Sequence, residues 1–415
     1  MSTINGMKFS GVKASPEREN WQDLIRRRTA LYEKPNDCRD PFERDYTRIL
    51  HSQAYRRLKH KTQVFFNIEN DHICTRMEHV AHVESVASTI AKDLGLSVEL
   101  TRAIAIGHDL GHAPFGHQGE RELSALQERY LGTKFFHERN GLRFVDDIEL
   151  LEDDYRVFRN LDLTYAVRDG IISHCGEVDE NGLSPRKEYI DLQRDYLSVG
   201  QYQPYTWEGC VVKLSDKIAY VGRDIEDARR LGFLTQENME TLTELAREYD
   251  KMALNTTVII HSMIYDVCKN SSPEKGIRLS ETFSRQLNEI KRFNYEYIYK
   301  NKRLEPFTAY AKVVIGQLFS VLLDAYRGEE TLEELRRRAG VYPLLMTAFA
   351  DWLSKFCEPG LSLFQNTNEK TVQCVNRKIY GHLEDEKIYI QAILDFISGM
   401  SDTYCIKLFN ELITY

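Results

Sequence analysis

His108-Asp109-Leu110-Gly111-His112-Ala113-Pro114-Phe115-Gly116-His117-Gln118-Gly119-Glu120 is the stretch that decides how the chain reads. It places three histidines and two carboxylates within thirteen residues. Adjacent His108 and Asp109 differ by about 100° around a helix, so both can serve one centre only where the helix end points at it. Gly107 and Gly111 flank the pair and remove side-chain bulk, which lets other groups approach closely. Pro114 and Gly116 then turn the chain, so His112 and His117 can face back toward the same place.

Working outward, seven of the twelve histidines (His72, His79, His82, His108, His112, His117, His137) lie between residues 72 and 137. Histidine binds borderline metals and moves protons near neutral pH, so clustering of this kind is informative. Upstream, Thr75-Arg76-Met77-Glu78-His79 opens a helix in which Arg76 and His79 share a face. An arginine beside a ligating histidine suits a phosphate-bearing substrate. Downstream, Lys213 to Asp224 reads as a helix in which Asp216, Tyr220 and Asp224 recur every four residues as one polar stripe. A lone histidine on a helix is usually a surface or satisfied core residue. A lone Asp216 could equally be a cap or an ion-pair partner. It is the combination with the His108–Glu120 run that points to a metal centre.

The rest of the chain predicts an all-α fold. Residues 76–94 carry Met77, Val80, Val83, Val86, Ile90 and Leu94 at helical steps. Residues 97–107 begin at a Ser97 cap and continue into an apolar face. Residues 236–268, 307–326, 331–338, 343–357 and 386–400 read as further helices, and strand-like alternation is scarce. Residues 176–188 and 269–278 read as loops. The expected division is a catalytic helical domain with an N-terminal extension over 1–275 and a C-terminal helical region over 276–415. With 42% hydrophobic residues the 415-residue chain can bury a large core. Its net charge of −8 argues against a nucleic-acid platform covering the whole surface. Eight scattered cysteines without a CxxC read as free thiols in a reducing compartment. Met1 to Asn20 lacks a signal-peptide stretch, and no run of about 18 apolar residues stands out. The expectation is a cytoplasmic protein without a membrane span.

The order His79, His108-Asp109, Asp216 resembles the H…HD…D signature of the HD phosphohydrolases. The flanking motifs resemble, more specifically, the bacterial dGTPase-like deoxynucleoside triphosphate (dNTP) triphosphohydrolases. They run from Ser52-Gln53-Ala54-Tyr55-Arg56-Arg57-Leu58-Lys59-His60-Lys61-Thr62-Gln63-Val64-Phe65 through Thr75–His79, the His108–Glu120 run, Phe136-His137-Glu138 and Arg168-Asp169-Gly170-Ile171-Ile172-Ser173-His174. Asp224-Ile225-Glu226-Asp227-Ala228 closes the series, and the likeness covers about residues 20–235. It implies an HD-domain helical bundle. It implies His79, His108, Asp109 and Asp216 as ligands of a divalent metal, Mn²⁺ or Mg²⁺ first and Fe²⁺, Co²⁺ or Ni²⁺ after them. It gives Arg76 and Lys217 the triphosphate, with His112 against it. His117 supported by Glu120 becomes the acid/base pair, with His137 within reach. Gln63, Tyr220 and Asp224 would contact the deoxyribose and its 3′-hydroxyl. The sequence departs from the family at Glu78, where Thr is usual, and at His82, where Glu is common. A tyrosine gate against the 2′-hydroxyl is not assignable, with Tyr265, Tyr297 and Tyr299 as candidates.

The implied reaction releases a deoxynucleoside and inorganic triphosphate from dGTP or from dNTPs broadly. The nearest alternative is an HD-type phosphodiesterase or nucleotidase acting on another nucleotide. A more distant one is a nucleotide-sensing or single-stranded-nucleic-acid-binding protein. Lys291-Arg292 leading into Asn294-Tyr295-Glu296-Tyr297-Ile298-Tyr299-Lys300 mixes cations with aromatics, as such surfaces do. The resemblance further implies a homo-oligomer, a tetramer or hexamer, and admits a dNTP activator at a second site.

Overall fold

The computed structural model describes residues 8–29, 37–65, 70, 72–153, 155–175, 181–249, 256–358 and 373–414. The fold is helical, as the pattern of apolar positions requires. Among the described residues the only strands are Leu150–Glu152, Val157–Asn160 and Gln373–Val375. They form one small sheet, antiparallel between the first two and parallel between the last two. Helices occupy Arg76–Leu94, Val98–Gly107, Thr331–Arg338, Pro343–Phe356 and Glu386–Ser398. These sit within a few residues of the stretches expected from periodicity. The stretch 236–268 is two helices, Gln236–Tyr249 and Thr256–Asn270, and residues 250–255 lie outside the described residues. So does 176–180 of the expected loop 176–188. None of the eight cysteines forms a disulfide among the described residues.

The chain divides into two units. Unit 1 takes Met1–Leu50, Ile68–Asp109 and Asp162–Glu305; unit 2 takes His51–Asn67, Leu110–Leu161 and Pro306–Tyr415. The division falls inside the His108–Glu120 run, between Asp109 and Leu110.

Unit 1 is organised around the Arg76–Leu94 helix, which packs on Val98–Gly107 and on Trp207–Arg230. Its start is a capping box: Glu78 N–H donates to Thr75 Oγ1 (3.4 Å), and Thr75 N–H donates to Glu78 Oε2 (2.8 Å). The residue that departs from the family pattern is thus a capping group. Val80, Val83, Ala87, Ile90 and Leu94 form its buried stripe. A side chain at Gly107 would lie 2.8 Å from Ile171, so this glycine lets the Tyr165–Ser173 helix come close to the end that carries His108.

Unit 2 contains the Gly116–Leu131 helix, packed on Glu386–Ser398. The stretch Lys302–Leu323 is long and apolar enough by composition to cross a membrane. Its face of Ala311, Val314, Ile315, Leu318, Phe319 and Leu322 is buried within the protein. The polar anchor of this unit is Asp395, 1% exposed. It accepts from Arg143 Nε (2.8 and 2.9 Å) and Nη2 (2.7 Å), from Tyr380 Oη (2.9 Å) and from Gln391 Nε2 (2.8 Å). Removing one partner of a buried pair strands the other charge, at a cost of about 3 kcal/mol here, because the Arg143 side chain can partly reach water. Asp395→Ala is therefore expected to lower the melting midpoint by about 3–4 °C, read by calorimetry. An unchanged melt would show that the anchor contributes nothing.

Candidate active site

In unit 1, four side chains converge at the end of the Val98–Gly107 helix. His79 Nε2 lies 3.0 Å from Asp216 Oδ1. His108 Nε2 lies 3.4 Å from Asp109 Oδ1 and 3.8 Å from Asp216 Oδ1. The ligand atoms of His79, His108 and Asp216 all fall within 4.8 Å of one another. His79, His108 and Asp109 are buried, and Asp216 is half-buried.

The chemistry of this set fits a divalent cation. His108 Nδ1 sits 2.6 Å from Ala105 O and donates to it, which fixes the ring and turns Nε2 toward the carboxylates. That Nε2 is buried and makes no hydrogen bond among the described residues. A buried ring nitrogen that faces carboxylates without a hydrogen bond suits a cation between them. The electrostatics agree. Burial disfavours the charged form of His79, yet the Asp216 hydrogen bond and the nearby Asp109 outweigh it and raise the pKa. Burial works against Asp216 ionising, but His79 and His108 hold its carboxyl well below the usual range. The pocket is built for added positive charge.

Groups suited to phosphate and sugar lie in the same unit. Arg76, 1% exposed, donates from Nη1 to Asp109 Oδ2 at 2.8 Å. Its Nε and Nη2 are buried without hydrogen-bond partners among the described residues. Lys217 is half-buried, and its pKa is lowered by burial and then by Lys291 and Lys213. Asp224 is buried and accepts from the Tyr299 hydroxyl. Tyr220, one turn before Asp224, is half-buried. Of the three tyrosine candidates, Tyr299 is thus beside the proposed sugar contact, while Tyr265 and Tyr297 are exposed. Tyr295 is also exposed, with Lys300 Nζ 4.5 Å over its ring.

Unit 2 holds the other set. A side chain at Gly111 would lie 2.0 Å from His137 O, so only glycine lets these two segments meet. Asn140 Nδ2 donates to Gly111 O at 2.7 Å and ties them. His112 then stacks on His137 with ring centroids 3.8 Å apart. Glu120 accepts from His137 N at 2.8 Å and lies 3.1 Å from His137 Nδ1. Its Oε2 is 3.7 Å from His117 Nδ1. Glu120 is therefore shared by two histidines and is bonded to His137 more closely than to His117. Burial would raise its pKa, but His137, His117 and His112 hold it well below the usual carboxylate range. The His117 side chain is 63% exposed. Gln63 is half-buried, and its Oε1 has no hydrogen-bond partner among the described residues.

Sequence reasoning quoted the Arg168–His174 motif without roles. Asp169 proves to be an anchor, paired with Arg186 at 2.6 Å. His174 packs its ring edge-on to His108, 5.0 Å between centroids, with Nδ1 2.7 Å from Ile171 O. Its position directly after a helix end in a histidine-bearing motif was the available signal.

Residues 76–220 match the HD domain family, and residues 277–340 match the phosphohydrolase-associated domain. A deoxyguanosinetriphosphate triphosphohydrolase-like protein of Caldanaerobacter subterraneus subsp. tengcongensis is 36% identical over 75% of this chain and 80% of its own. Those of Clostridium tetani (31% identical, 92% of this chain, 88% of its own) and Bartonella tribocorum (30% identical, 92% and 91%) align over nearly the full length. With identity of this level over most of both sequences, the chain belongs to the HD-domain family of deoxyguanosinetriphosphate triphosphohydrolase-like proteins, and is a phosphohydrolase.

Proposed function

We propose that the protein hydrolyses dNTPs at the α-phosphorus, giving deoxynucleoside and inorganic triphosphate. The observation that carries this reading is the His79–His108–Asp216 cluster, with Asp109 beside it and a buried His108 Nε2 that makes no hydrogen bond, next to Arg76 donors without hydrogen-bond partners among the described residues. His79, His108, Asp109 and Asp216 hold the divalent metal, Mn²⁺ or Mg²⁺. When bound, that ion polarises the phosphate and promotes ionisation of the attacking water. Arg76 and Lys217 offset triphosphate charge and fix its path for in-line displacement. His112 lies against the triphosphate. His117 donates a proton to the departing 5′-oxygen, a poor leaving group otherwise, and Glu120 orients the histidine. His137, stacked on His112 and bonded to Glu120, holds both in place. Gln63, Tyr220 and Asp224 contact the deoxyribose.

Tyr299 is the gate against a 2′-hydroxyl, since its hydroxyl donates to Asp224. Tyr299→Ala is expected to relax discrimination between dGTP and GTP by about tenfold or more, compared as kcat/KM. Unchanged discrimination would remove Tyr299 from that role. The phosphohydrolase-associated match beginning at 277 supports reading 1–275 as the catalytic domain and 276–415 as the region added to it. The same reading has the protein acting in the cytoplasm as a homo-oligomer. Each dNTP supplied alone and then all four together, with GTP and a cyclic dinucleotide as controls, tests the substrate class. Turnover only in the mixture would indicate a dNTP activator. Turnover of the cyclic dinucleotide and of no dNTP would replace this reading with a phosphodiesterase.

A further inference from the structure

The Gly116–Leu131 helix, which carries His117 and Glu120, begins without a side-chain cap of its own. Its entry is Phe115, buried and in the left-handed region at φ 63°, ψ 21°. A bulky residue stays there only where the surroundings over-determine it. What holds it comes from the far end of the sequence. Phe115 N–H donates to Asp402 Oδ1 at 2.9 Å. Asp402 Oδ2 accepts from Thr62 N at 3.1 Å and from Thr62 Oγ1 at 2.8 Å. Next to Thr62, Lys61 is buried, and its Nζ donates to His112 O and to Ser398 O, the latter at 3.1 Å. The loop from His112 to Phe115 is thus pinned at both ends by residues outside it.

Asp402 stands at the start of the Asp402–Ile413 helix, and an acid there ordinarily serves the helix dipole. Here the cap is Ser401, which accepts from Tyr404 N at 3.3 Å. Asp402 is 3% exposed, and both of its oxygens are committed to the distant turn and to Thr62.

We infer that Asp402, clamped by Thr62 and assisted by Lys61, is a positioning residue that aims His117 and Glu120 by fixing the left-handed turn at Phe115. Asp402 touches no reacting group in this scheme. It acts through the direction of the first turn of the helix. The inference rests on the acid/base role read above for His117. It gives the C-terminal region a part in the chemistry.

A double-mutant cycle on the full-length protein tests it, with Mn²⁺ and dGTP. In Asp402→Asn the carbonyl can still accept from one side, but the amide group meets another N–H donor on the other, so the clamp is broken without loss of volume. The expected result is a fall in kcat of about 10- to 100-fold with KM changed by less than about threefold and bound Mn²⁺ unchanged. In a His117→Ala background the same substitution is expected to cost less than about threefold, because there is no proton donor left to aim. Wild-type kcat in Asp402→Asn overturns the inference. So do losses that multiply in the double variant, which would show that Asp402 acts independently of His117. Full turnover by His117→Ala itself would strike the His117 assignment, a result distinct from either. If Asp402→Asn does not fold, Thr62→Val, which deletes one bond to the carboxylate, takes its place. Its expected loss is about three- to tenfold, with the same non-additivity, and wild-type kcat there also overturns the inference.

Discussion

His108→Ala is expected to abolish hydrolysis, with a loss of at least about 10⁴-fold, and to abolish retention of the divalent metal. The imidazole is fully buried, its Nδ1 is committed to Ala105 O, and its Nε2 faces Asp109 and Asp216. Alanine removes the one donor atom whose orientation the helix end fixes. What remains is a pair of carboxylates and His79, a weaker set that also leaves buried negative charge. Two readouts separate this from simple inactivation. Metal content after dialysis falls. The rise in melting midpoint on adding Mn²⁺, which measures binding to the folded state alone, disappears. A variant that keeps both metal and turnover would remove His108 from the centre.

The second large effect is expected at His117. His117→Ala is predicted to lower kcat by about 10²- to 10⁴-fold, the usual worth of a general acid. The substrate contacts proposed for Arg76, Lys217, Gln63, Tyr220 and Asp224 are untouched, so KM is expected to move little. The exposure of the side chain matters here. A residue 63% exposed with one carboxylate neighbour can be truncated within about 0.5 kcal/mol of wild-type stability. The thermal melt should therefore stay in place while turnover falls. Glu120→Gln should do more harm to folding, because Glu120 also holds His137 through its backbone N and ring. Wild-type turnover in His117→Ala with metal bound would transfer the acid role to another group.

The helix that carries His79 was legible because its stripe of valines, isoleucine and leucine repeats at helical steps; the capping box and left-handed glycine at its ends came only with the structure. The His108–Glu120 run was legible because its glycines and proline restrict what the backbone can do. Glu78, which looked like a departure from the family, turned out to be local capping chemistry. Other features leave little trace in one sequence. Asp402 reads as an ordinary first-turn acid, and its partners Thr62 and Phe115 lie hundreds of residues away. The shared position of Glu120 between His117 and His137 depends on the close approach at Gly111, which spacing alone does not reveal. The small sheet joins Val157–Asn160 to Gln373–Val375, a pairing of segments too short to show alternation. Local order follows from local pattern, whereas the contacts that hold the turn before His117 are tertiary.

The most direct test of the proposed chemistry is product analysis with dGTP and Mn²⁺ in ¹⁸O-labelled water. Attack at the α-phosphorus predicts deoxyguanosine and inorganic triphosphate in equal amounts, with the label in the triphosphate and none in the 5′-hydroxyl. Orthophosphate or pyrophosphate as the first product, or label in the nucleoside, would contradict it.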